Sequence, residues 1–208
     1  MLLNLEPTRR IIKSHWSVTG KKPSKKTGKT HRFESTLERD YLTLLEFDDL
    51  VDKYVELPLA IRYSNDGKDR SYTPDFLVIY KPSVNAKPVL SEIKYRADIQ
   101  RNFSKYKPKF EAAVKFAYEN GYQFKVITEE HIRTVQLQNA EFLNRYLHTE
   151  IDNKIASILL AYLRDLQQST PETLITLLEN ADNPEEELLY GLWQLVSTRK
   201  VSCNLNAP

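Results

Sequence analysis

The stretch YTPDFLVIYKPSVNAKPVLSEIKY, residues 72–95, holds two apolar runs separated by a loop with two prolines. Short runs of large and β-branched apolar residues bounded by Pro and Asn are strand signals. The spacing predicts a strand over YTPDFLVIY, a loop over KPSVNAKP and a second strand over VLSEIKY. The charges do not suit a plain apolar hairpin: Asp75 stands at the mouth of the first strand, and Glu92 and Lys94 lie inside the second. Charges in a buried hairpin are costly unless something binds them.

Side chains alternate along a strand, so Glu92 and Lys94, two apart, project from one face. Asp75, at the start of the adjacent antiparallel strand, is placed to share that face. Two carboxylates and an ammonium meeting there make a hard, oxygen-rich site suited to Mg²⁺ or Mn²⁺. Such an ion polarises a phosphoryl oxygen and activates water, while the lysine orients that water or steadies negative charge. The plainer alternative is a cross-strand ion pair at a solvated sheet edge.

Upstream, ESTLERDYLTLLEFDDLV places Leu37, Tyr41, Leu44 and Leu45 on one helical face, and Ser35 followed by Glu38 has capping-box spacing, which sets a helix start near Ser35. YVELPLAIRY predicts another strand and SNDGKD a turn. Downstream, PKFEAAVKFAYENG predicts an amphipathic helix stopped by Gly121, and YQFKVIT a last buried strand. Helix, three-strand meander, helix and strand amount to an α/β core with a mixed sheet flanked by helices. From about Val135 the pattern turns helical: EIDNKIASILLAYLRDLQ, STPETLITLLEN and NPEEELLYGLWQLVSTRK predict three helices, and VSCNLN a short final strand. That order suggests a small, mainly α, winged-helix-like C-terminal domain.

The chain has 208 residues, 41% hydrophobic and 28% charged, with one cysteine, Cys203. An internal disulfide and a cysteine-rich zinc site are thereby excluded, and the four histidines, His15, His31, His131 and His148, show no zinc spacing. No apolar run approaches the roughly 18 residues of a membrane span, and MLLNLEPTRR is too short in apolar residues for a secretory signal. The expected location is the cytoplasm, with no membrane partner.

The net charge of +2 conceals an asymmetry. Residues 1–135 hold 25 Lys and Arg against 18 Asp and Glu, a net of +7; residues 136–208 hold 5 against 10, a net of −5. Between Pro7 and Phe33 stand Arg9, Arg10, Lys13, Lys21, Lys22, Lys25, Lys26, Lys29 and Arg32 with no acid among them. A DNA-binding arm, held by phosphate contacts and counterion release, accounts for this run; so does a solvated, partly disordered arm. Arg96, Arg101, Lys105, Lys107 and Lys109 follow the second strand with Tyr95, Phe103 and Tyr106 between them, which fits either a patch tracking the DNA backbone or a solvated helix face. Tyr190 and Trp193 are read as core.

Pro74-Asp75 with Glu92-Ile93-Lys94 matches the PD-(D/E)xK nuclease pattern. Together with ESTLERDYLTLLEFD, VELPLAIRYSNDGKDRSYTPDFLVIY, LSEIKYRADI and GYQFKVITEEHIRTVQLQNAEFL, it resembles TnsA, the endonuclease subunit of heteromeric cut-and-paste transposases. The resemblance covers residues 30–145 well and the helical tail more loosely. It implies a restriction-endonuclease-like core that cuts the 5′ strands at transposon ends, beside a TnsB-like integrase-type transposase that cuts and joins the 3′ strands. The family's catalytic groups fall on Glu38, Asp75, Glu92 and Lys94, and the metal ligands on Glu38, Asp75 and Glu92, expected to hold two Mg²⁺ ions with Mn²⁺ as a substitute. Glu38 is otherwise fully explained as a helix cap. Some members carry glutamine at the third position; glutamate here is the commoner nuclease form.

The resemblance also implies a TnsC-like AAA+ regulator bound through the C-terminal domain, and the acidic tail section suits protein contact better than phosphate contact. The expected division is a basic arm over 1–33, a nuclease domain over 34–135 and a partner-binding domain over 136–208. Double-stranded DNA is expected on Lys21, Lys22, Lys25, Lys26, Lys29, Arg32, Arg96, Arg101 and Lys105. Two other functions fit the same residues: a restriction or repair nuclease acting alone, and a non-catalytic DNA-binding adaptor on the same fold.

Overall fold

In chain order the first part of the protein forms β1 (Gly20–Pro23), β2 (Thr30–Phe33), α1 (Thr36–Phe47), β3 (Val51–Glu56), β4 (Ile61–Asn65), β5 (Lys68–Tyr72), β6 (Phe76–Tyr80), β7 (Val89–Ile93), α2 (Arg96–Arg101), α3 (Phe103–Glu119), β8 (Gln123–Ile127) and α4 (Glu129–Ile132). There follow α5 (Val135–Leu143), α6 (Asn153–Leu166), α7 (Pro171–Leu178) and α8 (Glu185–Ser197). The structure is a computed structural model that describes residues 7–8, 18–180 and 182–207. The chain divides into two units, Met1–Leu137 and Gln138–Pro208.

The centre of the first unit is a four-stranded sheet of order β3-β6-β7-β8. β6 runs antiparallel to β3 and β7, and β8 lies parallel to β7. The middle strands read as continuous apolar runs because both faces are covered. One face carries Tyr54, Phe76, Val78, Val89 and Ile93 against Leu37, Leu42 and Leu45 of α1 and Ile132. The other carries Val55, Leu77 and Leu90 against Ala113 and Ala117 of α3. Helices on both faces of a mixed sheet are the expected restriction-endonuclease-like arrangement.

Ser35 caps α1 as its spacing implies: its hydroxyl accepts the Glu38 N–H at 3.1 Å. The strand expected over Tyr54–Tyr63 is instead two strands. Leu57 takes φ 47° and Pro58 follows it, so the ladder ends at Glu56 and the chain leaves the sheet. β4 then pairs with β5 as a separate hairpin, closed by Asp66 and Gly67 at φ 52° and 70°. Two consecutive positive φ values are those of a type I′ turn, for which Asp-Gly is a preferred pair.

From Gly20 onward the basic N-terminal segment is a β-hairpin rather than an arm, with β1 antiparallel to β2; Arg9, Arg10 and Lys13 lie outside the described residues. The hairpin packs on α1 and, through β2, on the edge strand β3. Glu46 is thereby buried, with its carboxylate accepting from the Ser24 hydroxyl at 2.7 Å, the Tyr54 hydroxyl at 2.7 Å and the Lys25 N–H at 2.9 Å. His31, also buried, bonds Glu56 through Nδ1 at 2.6 Å.

In the second unit α6, α7 and α8 pack through Ile155, Leu159, Leu174, Leu178, Leu188, Leu192 and Leu195. Asp152 and Thr170 cap α6 and α7 with their side chains. The final strand expected over Val201–Asn206 does not form. Arg199 turns at φ 61°, and the amides of Lys200 and Val201 both donate to the Leu195 carbonyl, so they serve the end of α8 instead of a ladder. Among the described residues α6, α7 and α8 therefore pack together with no strand after α8.

Candidate active site

Strand register assembles the site. Phe76 pairs with Ser91, so the preceding residue, Asp75, comes opposite Glu92 on the face covered by α3. The Ile93 N–H donates to Asp75 Oδ2 at 2.7 Å and fixes the carboxylate at the strand mouth. Leu57, in its left-handed conformation, donates its N–H to the Asp75 carbonyl at 2.8 Å. Lys94 extends past the end of β7, and its ammonium lies 3.2 Å from Glu92 Oε1 and 3.5 Å from Asp75 Oδ2. It also donates to the Ile93 carbonyl at 3.0 Å.

Glu38 arrives from the first turn of α1. Its carboxylate accepts from the Glu34 N–H at 2.8 Å and the Ser35 hydroxyl at 2.9 Å, which makes it a cap. Its charge also acts on both Asp75 and Lys94. Of the sequence-predicted residues, Asp75, Glu92 and Lys94 are thus brought into contact, with Glu38 in electrostatic reach of Asp75 and Lys94.

The electrostatics are those of crowded anions. Burial, reinforced by the neighbouring Glu92 and Glu38 carboxylates, pushes the Asp75 carboxyl up from its ordinary 3.8 to about 7, against the opposing pull of Lys94. Burial also raises the Glu38 carboxyl, and its hydrogen bonds from Glu34 and Ser35 only partly offset this. Burial works to lower the Lys94 ammonium, yet Asp75 and Glu92 outweigh it and hold the group above the usual lysine value. With these neighbours Lys94 is held as a cation and hydrogen-bond donor.

Two further side chains complete the cluster. The Tyr72 hydroxyl donates to Glu92 Oε2 at 2.6 Å, and Lys109 Nζ donates to Glu92 Oε1 at 2.8 Å. Burial and the Glu92 charge push the Tyr72 phenol up, so it stays a donor. Sequence reasoning gave Tyr72 no role and read Lys109 as one of several surface cations. The available signal was Tyr106, Lys109 and Phe110 at i, i+3 and i+4, one face of a helix.

Glu38, Asp75 and Glu92 supply hard oxygen donors, and their mutual repulsion is what a divalent cation relieves. By donor chemistry they fit such an ion. As they stand they are not a coordination shell: among the described residues no group of three His, Cys, Asp or Glu side chains is drawn together tightly enough to hold a metal. Glu38 and Glu92 would have to exchange present partners for the ion.

The predicted DNA-binding residues fall into two groups. On the hairpin, Lys21, Lys25 and Lys29 are exposed and Arg32 is half-buried. Lys22 instead donates to the Thr43 hydroxyl, and Lys26 turns inward to the carbonyls of Leu45 and Asp48, closing the C-terminal end of α1. Burial holds the Lys26 pKa below the ordinary lysine value. Beyond β7, Arg101 and Lys105 are exposed on α2 and α3, while Arg96 pairs with Glu130 at 2.6 Å. Arg133, also missed from sequence, joins the buried Asp40 at 3.0 Å and Thr36 at 3.1 Å, tying α4 to the first turns of α1.

Residues 48–129 match the family model described as TnsA-like endonuclease N terminal, and residues 131–205 match that described as TnsA endonuclease C terminal. No curated protein matches the chain. The first match contains Asp75, Glu92 and Lys94, and Glu38 lies ahead of it. Two adjoining matches in the family's own domain order, on a mixed sheet of the expected kind, place this chain in the TnsA-like transposon endonuclease family.

Proposed function

We propose that this transposase endonuclease subunit is a Mg²⁺-dependent enzyme that cuts the 5′ strands at transposon ends, with Mn²⁺ as a substitute ion. The observation that carries the reading is the cluster of Asp75, Glu92 and Lys94 on one sheet face, with the Lys94 ammonium within 3.5 Å of both carboxylates. Glu38, Asp75 and Glu92 are the residues that would hold the metal. When bound, a divalent ion supplies Lewis acidity at the phosphoryl group and lowers the pKa of water. Lys94, kept protonated by its neighbours, donates to the attacking oxygen or to the developing negative charge. The Ile93 N–H holds Asp75 in place, and the Tyr72 hydroxyl does the same for Glu92.

Exposed Arg101 and Lys105, with Lys21, Lys25 and Lys29 on the hairpin, supply phosphate contacts that position the duplex without reading its sequence. The second unit serves as the protein-binding part. The first turn of α8 carries Glu185, Glu186 and Glu187, all exposed, where a DNA-reading helix would meet phosphates. These acids favour a TnsC-like AAA+ regulator there over DNA, beside a TnsB-like integrase-type partner at the ends. The test is strand mapping on labelled transposon-end duplex with both partners and Mg²⁺. Cleavage of the 5′ strands that is lost in Asp75→Asn and Lys94→Ala is expected; cleavage that survives Asp75→Asn overturns the assignment.

A further inference from the structure

Glu92 is only 1% exposed, and a carboxylate buried to that degree needs its charge matched. Oε2 is satisfied by the Tyr72 hydroxyl at 2.6 Å. Oε1 carries two ammonium groups, Lys94 at 3.2 Å and Lys109 at 2.8 Å. Lys94 is shared with Asp75; Lys109 reaches the site separately, from α3.

Lys109 has a second set of partners. Its Nζ lies 4.6 Å from the ring centroid of Tyr72, 4.8 Å from that of Tyr106 and 5.3 Å from that of Phe110. Aromatic faces at this range attract a cation. The cage is braced: Tyr106 stacks on Phe110 at 5.6 Å and donates its hydroxyl to Asp98 at 2.6 Å. Two carboxylates, Asp75 and Glu92, thus face two ammonium groups. One of these groups has somewhere to stay if its carboxylate oxygen is taken.

We propose that Lys109 is a placeholder for the divalent ion, occupying Glu92 Oε1 in the metal-free protein and yielding that oxygen to the ion while the three rings retain its ammonium. This rests on the reading of Glu92 as a metal ligand. Lys109 is a positioning residue here: it keeps Glu92 extended and charge-matched until the ion arrives. Its charge also opposes the ion, so metal affinity is set lower than the carboxylates alone would give. A unit charge about 5 Å from a divalent ion, even at the dielectric of water, changes its affinity on the order of tenfold.

The test titrates Mn²⁺ into the full-length protein, with free Mn²⁺ read by electron paramagnetic resonance, for wild type, Lys109→Met and Lys109→Arg. Melting temperatures are taken in EDTA and at saturating Mn²⁺. Lys109→Met should bind Mn²⁺ about tenfold more tightly, and Lys109→Arg, which keeps the charge, should stay near wild type. Lys109→Met should melt lower than wild type in EDTA, and Mn²⁺ should close that gap because the ion replaces the missing ammonium. Unchanged or weaker Mn²⁺ binding in Lys109→Met, or a melting gap of equal size in both conditions, overturns the proposal and leaves Lys109 a structural cation.

Asp75→Ala in the same titration separates the two readings. If it binds Mn²⁺ as well as wild type, the metal site and the placeholder both fall. If it loses the ion while Lys109→Met gains nothing, the placeholder alone falls. Should Lys109→Met not fold in EDTA, Lys109→Gln is judged by the same outcomes.

Discussion

Replacing Asp75 by Asn should stabilise the metal-free protein at pH 8 while removing a group that the proposed chemistry uses. The Asp75 carboxyl is raised from its ordinary 3.8 to about 7, first by burial and then by the Glu92 and Glu38 charges. A raised carboxyl means that the folded state holds the proton more tightly than the unfolded chain does. Its contribution to stability is therefore fully present below about pH 4 and is lost as pH climbs through about 7. At 1.36 kcal/mol for each tenfold in proton affinity, the ionised group costs at most about 4 kcal/mol at pH 8. The side chain keeps 17% exposure, so solvent screening brings the expected gain nearer ~2 kcal/mol. Asn keeps a carbonyl oxygen for the Ile93 N–H and carries no charge towards Glu92. Urea melts followed by circular dichroism in EDTA at pH 5 and pH 8 read the effect. Wild type should lose stability over that interval, and Asp75→Asn should lose less and exceed wild type at pH 8. Added Mn²⁺ should raise wild type and leave Asp75→Asn unmoved. If Asp75→Asn is weaker than wild type at pH 8 in EDTA, Asp75 is a structural partner of Lys94 and the argument from crowded anions fails.

The other predictions concern the proposed DNA face, the hairpin and the second unit. Arg101→Ala with Lys105→Ala should weaken duplex binding equally across sequences and reduce the salt slope by about 2, read from binding isotherms at several salt concentrations. Burial would raise the Glu46 carboxyl, but bonds from Ser24, Tyr54, Lys25 and Lys26 together hold it below its usual value. Its stabilisation is thus present above its ordinary 4.5 and lost as pH falls through the lower folded value. Glu46→Gln should flatten that acid limb in melts between pH 2 and pH 6. At Gly191 in α8, an added Cβ would stand 2.7 Å from Ile155 Cγ2 and 3.0 Å from Ile151 Cδ1. Gly191→Ala should cost about 1–3 kcal/mol through overpacking, seen as a lower melting transition.

Local periodicity and turn chemistry were sufficient for several features. The Ser35 cap, the Asp66-Gly67 turn, the two apolar central strands and the helix ending before Gly121 each depend on contacts within a few residues. Glu92 and Lys94 share a face because a strand alternates with period two, whatever its neighbours. The basic hairpin was illegible for the opposite reason: β1 and β2 are short and polar, and only docking on α1 and β3 gives them a buried side.

The same division runs through the site. Sequence spacing put Asp75, Glu92 and Lys94 in order, but the pairing of Phe76 with Ser91 sets Asp75 opposite Glu92, and a slip of one residue would turn the face away. Tyr72 comes to Glu92 from a hairpin outside the sheet, and Lys109 comes from a helix laid across it. Neither approach is encoded in local periodicity, because both depend on how elements dock over the apolar face of the sheet. The inward turn of Lys26 and the outward exposure of Lys25 are likewise set by the packing of the hairpin on α1. Residue order determined which chemistry the chain carries; strand register and helix docking decided which side chains share it.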